Sequence, residues 1–157
     1  YTMALNASPE CRLYTVDLPD AAPADMVPEL NALDQSHIAK SRFRVGEAFL
    51  GSPFADRITQ IREDSMAFRA EKHVAHADLI FVDGGYSLPV ITRDTENAFR
   101  ILSANGAILW DDYFHLYPDV VNYLDLLADQ YPMHVLPGTN CVLYSRCWDP
   151  AAQLRSP

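Results

Sequence analysis

Hydrophobic and polar positions fall into blocks along the chain, and the period changes from block to block. "CRLYTVDL" (residues 11–18) carries β-favouring side chains and stops at Asp17-Leu18-Pro19, where proline cannot extend a ladder. "RITQIREDS" (57–65) sets Ile58, Gln60 and Arg62 against Thr59, Ile61 and Glu63, the two-residue period of a strand, and runs out on Asp64. "ADLIFVDGG" (77–85) is a nearly continuous apolar run ending on Asp83, the pattern of a central parallel strand covered on both faces. A fourth strand, "AILWDD", ends on Asp111 and Asp112. Between residues 92 and 104 the period lengthens: Thr95, Ala98, Phe99 and Leu102 share one helical face, with Asp94 and Glu96 near the end where the helix dipole favours negative charge. Gly106 is expected to close that helix in a left-handed turn. "YPDVVNYLDLLADQY" (117–131) predicts a helix entered through Pro118, with Val121, Leu124 and Leu127 or Ala128 inward. Two short strand-like runs around "PGTN" in "MHVLPGTNCVLYSRC" (133–147) predict a hairpin.

Strands alternating with helices predict a doubly wound α/β fold, a mostly parallel sheet with helices on both faces and a C-terminal antiparallel hairpin. The length of 157 residues supports one domain, residues 1–157. Pro19, Pro23 and Pro28 mark residues 19–41 as an irregular, partly helical, lid-like insertion. No internal repeat or low-complexity tract interrupts this order.

Composition narrows the function. With 21 acidic against 12 basic residues the formal charge is -9, which repels a polyphosphate backbone and argues against a nucleic-acid partner. No apolar run reaches membrane-spanning length, so no membrane role is expected. Cys11, Cys141 and Cys147 form no CxxC pair, which argues against a disulfide framework or a zinc ribbon and fits a reducing cytoplasm.

In open α/β sheets ligands bind outside the carboxyl ends of the strands, and each strand here delivers an acid there. Asp17 is placed to accept both hydroxyls of a ribose, or else to cap the turn before Pro19. Asp64 and Ser65 can contact a base or cap the segment that follows. Gly84 and Gly85 leave the backbone beside Asp83 bare, so that a ligand can approach it, or form an ordinary tight turn. Asp83, Asp111 and Asp112 converge from two strands. A magnesium-like cation between them is one solution, and hydrated or capping aspartates near a basic side chain are the other. Tyr86 and His115 flank the same region as candidate base or donor, His115 with the alternative of simple solvation.

Taken together, "LYTVDLP", "VGEAFLGSPFADRITQIREDSMAF", "ADLIFVDGGYS…RDTENAFRILSANGAILWDDY" and "GTNCVLYSR" resemble class I S-adenosylmethionine-dependent methyltransferases, over about residues 12–146. The resemblance is to the subgroup that typically carries DGGH or DGSH after its fourth strand. It implies a Rossmann-like, seven-stranded sheet with an antiparallel last strand and S-adenosylmethionine as cofactor. By carry-over, Asp17 holds the cofactor ribose, Asp64 and Ser65 lie by the adenine, and Asp83 lies near the methionine end or the reacting centre; Gly84 beside it is a further cofactor-binding candidate. In metal-dependent relatives, acids matching Asp83, Asp111 and Asp112 bind Mg2+. Two departures stand out. Tyr86 occupies the histidine position, and the family's first strand with its glycine-rich loop is missing ahead of "YTMALNASPECR". Since the chain opens on Tyr1, it reads as a fragment of a longer product that, by itself, binds the cofactor weakly.

The expected function is methyl transfer to an oxygen, with nitrogen second, of a small-molecule acceptor. Asp83, Tyr86 and His115 are the catalytic candidates. Another ribose-binding enzyme, using NAD or a nucleotide sugar, and a non-catalytic docking module are the alternatives. Homo-oligomer formation is left open.

Overall fold

A computed structural model describes residues 2–19, 32–41 and 46–147, with the backbone alone for 37–41. Two compact units divide at Phe68/Arg69.

The first unit opens with α1 (Thr2–Asn6), whose Ala4 is buried. β1 (Leu13–Asp17) pairs in parallel with β2 (Ile58–Arg62), Thr15 opposite Gln60 and Asp17 opposite Arg62. In both strands the residues at Leu13, Thr15, Asp17 and at Ile58, Gln60, Arg62 share one face by strand periodicity. Of the expected insertion, α2 (Ala32–Ser41) is described and carries the buried Asp34; residues 20–31 lie outside the described residues. A turn at 46–50 and a 3-10 turn at Ala55–Arg57 lead into β2.

The second unit is a four-stranded sheet. β3 (Ala77–Val82) lies parallel to β4 (Leu102–Trp110), and β6 (Val142–Ser145) is inserted antiparallel between β4 and β5 (Met133–Val135). The hairpin joining β5 to β6 turns at Gly138, whose φ of +78° suits glycine. Helices α3 (Leu88–Ile101) and α4 (Pro118–Ala128) pack with this sheet around Ile91, Ala98, Ile108, Trp110, Val120 and Leu124. Trp110 is fully buried, and its Nε1–H donates to Thr95 Oγ1 at 2.9 Å, which satisfies the one polar atom of that ring.

Several expectations are corrected. The helix expected at 92–104 starts at Leu88 because Ser87 stands at its N-cap and Pro89 lies in its first turn, where proline's missing N–H costs nothing. Gly106 does not end a helix; it sits inside β4 and takes no positive φ. A Cβ there would lie 2.6 Å from Leu102 Cδ1 and 3.0 Å from the Ala77 carbonyl, so close packing, not chirality, demands glycine. In α4 the inward residue is Val120 rather than Val121. β3 is not covered on both faces: Leu79 is 58% and Phe81 39% exposed, and among the described elements β3 pairs with β4 alone. Among the described elements the strands of the doubly wound fold fall into two hydrogen-bonded sheets, of two and four strands.

Candidate functional site

In the first unit, Asp17 is the last residue of β1 and is half-buried. Its Oδ2 accepts two hydrogen bonds, from Thr15 Oγ1 at 3.1 Å and from Gln60 Nε2 at 3.3 Å. Its Oδ1 accepts none among the described residues. Asp64 follows β2 by two residues. Its Oδ1 accepts from the Met66 N–H at 2.9 Å, while its carbonyl accepts from Ala67 and Phe68. That bonding is the local turn that the capping alternative describes. Ser65 lies half-buried in the same turn.

In the second unit, β3 and β4 run parallel and deliver Asp83, Asp111 and Asp112 at their carboxyl ends. Asp83 is pushed up to about 6 from 3.8, first by burial of its carboxyl and then by the charges of Asp111 and Asp112. The chain leaves β4 through a constrained turn. Asp112 takes φ +61°, a left-handed conformation that costs a non-glycine residue of order 1 kcal/mol and that clusters at functional sites. Asp111 Oδ1 holds this turn, accepting from the Asp112 N–H at 2.8 Å and the Cys141 thiol at 3.5 Å. The Tyr113 N–H donates to the Asn140 carbonyl at 2.9 Å, tying the turn to the hairpin.

Tyr86 stacks face to face on Tyr117, with centroids 4.3 Å apart and planes 10° from parallel. Burial, the Asp112 charge, Tyr117 and Asp83 raise the Tyr86 hydroxyl above its ordinary range. At neutral pH it therefore keeps its proton and can act as a hydrogen-bond donor, not as a base. His115 is exposed and tilts against Phe114 at 4.1 Å. The open side of Gly84 is taken up within this unit by the Asp94 carboxylate of α3.

The Mg2+ expectation is not supported. Among the described residues no three His, Cys, Asp or Glu side chains come together as ligands for an ion. Asp111 is instead occupied by its own turn and by Cys141. Also among the described residues, no helix is long and apolar enough to cross a membrane.

Sequence reasoning missed Thr15, Gln60, Tyr117 and Cys141. Thr15 was findable, since it stands two residues before Asp17 on the same strand face. The other three depend on register and turn geometry, which spacing does not carry.

A family model described as a methyltransferase domain matches residues 2–113. The chain belongs to the methyltransferase domain family. Among solved structures the domain is similar to the O-methyltransferase NovP, with a TM-score of 0.61 and 12% identity over 87% of this chain and 60% of that one. It is also similar to a protein of Staphylococcus aureus assigned as a caffeoyl-CoA O-methyltransferase, with a TM-score of 0.55 and 14% identity over 85% and 63%. At these identities the likeness is one of fold, and the chain spans less than two thirds of the length of either structure. No curated protein matches in sequence. The methyltransferase match leaves the NAD and nucleotide-sugar alternative without support.

Proposed function

We propose that this domain serves methyl transfer from S-adenosylmethionine to an oxygen of a small molecule. The observation that carries the reading is Asp83, a strand-end carboxylate raised to about 6 by burial and by Asp111 and Asp112. A base of that strength is ionised at neutral pH yet retains enough proton affinity to relieve a hydroxyl of its proton as the oxygen attacks. Both similar structures are named as O-methyltransferases, which supports oxygen over nitrogen as acceptor.

The cofactor fits what the first unit offers. Asp17 Oδ1 has no donor among the described residues, so a ribose diol would supply the missing hydrogen bonds, and Asp64 and Ser65 would border the base. When bound, the cofactor supplies an electrophilic methyl group on a positively charged sulfur. In the second unit Asp83 would accept the acceptor's proton. Tyr86, held protonated, would donate a hydrogen bond that orients the acceptor oxygen, and its stack on Tyr117 fixes the ring. His115, exposed on the same turn, is the remaining candidate and would act only as a secondary donor.

The test is formation of S-adenosylhomocysteine from S-adenosylmethionine at millimolar concentration, with a panel of small hydroxyl and amine acceptors. Turnover with a hydroxyl acceptor that falls at least about tenfold in Asp83→Asn is expected. Turnover unaffected by that substitution, or confined to amines, overturns the assignment.

A further inference from the structure

The role assigned to the neighbours of Asp17 rests on the reading of that residue as a ribose acceptor. A carboxylate on a strand end can rotate about its Cβ–Cγ bond, a soft, roughly two-fold torsion, so a free Asp17 would present its oxygens in many directions. Two neighbours remove that freedom. Thr15 stands two residues earlier on β1, and Gln60 stands opposite Thr15 on β2. The period of the strand places all three side chains on one face. Both donors converge on the same oxygen, Oδ2, at 3.1 and 3.3 Å. A carboxylate oxygen has two lone-pair sites, so these bonds fill Oδ2 and leave Oδ1 to accept from a ligand.

Gln60 is itself constrained. Gly46 has φ +88°, and a Cβ on it would lie 2.8 Å from Gln60 Oε1 and 2.9 Å from Nε2. The backbone of the 46–50 turn thus rests directly on the carboxamide, and only glycine allows both the left-handed conformation and the contact.

We infer that Gln60 and Thr15 are the positioning residues for ribose recognition, locking the Asp17 carboxylate through Oδ2, and that Gly46 holds Gln60 in place. Gln60 does not touch the ligand in this scheme; it acts through Asp17. A purely structural role in the β1–β2 pair would weaken all ligands alike, whereas positioning weakens only those with ribose hydroxyls.

The experiment has two arms on the whole chain. In the first, the side-chain amide resonances of Gln60 are followed by 15N-resolved NMR in the unliganded protein. Asp17→Ala is expected to move the Gln60 amide proton upfield, and an unmoved resonance overturns the lock. In the second, adenosine and 2′,3′-dideoxyadenosine are titrated into the wild type, Gln60→Leu, Thr15→Val and Thr15→Ser, with thermal melts confirming that each variant folds. Gln60→Leu and Thr15→Val are each expected to weaken adenosine about fivefold and to leave the dideoxy compound alone, with Thr15→Ser restoring the preference. Equal loss for both nucleosides, or an undiminished preference in Gln60→Leu, overturns the inference. If the wild type binds neither nucleoside, the cofactor reading of Asp17 falls, and the amide resonance alone decides whether the carboxylate is locked.

Discussion

Asp83 sits at about 6 because burial and the charges of Asp111 and Asp112 all disfavour its anion. That direction has two outcomes. On activity, kcat/KM should rise with pH along a limb near 6, and Asp83→Asn should abolish the limb along with most of the rate. On stability, the folded value lies above the ordinary 3.8, so the protonated form favours the fold. That contribution is complete below about pH 4 and is lost as pH rises through about 6. Asp83→Asn should therefore flatten the pH dependence of the melting temperature in that window; an unchanged slope would count against the shift. The residue keeps an exposed surface, so solvent screening keeps the amplitude small. Gly84 offers a second case. A Cβ there would meet only the tip of the Asp94 side chain, which can turn aside, so Gly84→Ala should change stability by less than about 1 kcal/mol in chemical denaturation. The pair of glycines was legible as a place where a backbone lies bare. That the visitor at Gly84 is a side chain of α3 was not, because the approach comes from ten residues along the chain.

Among the elements, the strand ends were the most legible part of the chain. Apolar or alternating runs broke at Asp17, Val82 and Trp110 because a buried strand has to stop where charge begins. The start of α3 was obscured: Ser87, Leu88 and Pro89 resemble loop chemistry, yet they are the N-cap and first turn. Its end was misplaced because glycine is ambiguous between a chiral requirement and a packing one, and at Gly106 packing decides. The convergence of three acids on a cation was beyond the reach of spacing, since it depends on side-chain direction, and Asp111 turns its Oδ1 to Asp112 N–H and Cys141. α3 also carries a debt in its polar groups. Asn97 is 5% exposed, and neither its amide nitrogen nor its oxygen has a hydrogen-bond partner among the described residues. An unsatisfied buried amide costs about 1–3 kcal/mol, so Asn97→Leu should raise the stability of this chain by about 1 kcal/mol. A drop in the denaturation midpoint would mean that the amide is satisfied in solution.

At the scale of the molecule, fold class and family were legible because the order of elements survives where individual boundaries slip. The division into two sheets was not, since a run such as Leu79-Ile80-Phe81-Val82 reads as doubly covered whatever stands beside it. Burial belongs to neighbours and not to the run itself. The two borders of the four-stranded sheet differ: β5 has three residues, β3 has six, with Leu79 and Phe81 uncovered. Long, flat, apolar borders attract other strands, and short ones do not. Leu79→Lys should therefore reduce self-association in size-exclusion chromatography with light scattering, and equal association in both proteins would dismiss the β3 border as its cause. Because each copy owns a single β3, two copies joined there in antiparallel fashion exhaust that contact. Through this border growth halts at a pair, and a fibril would need some other surface.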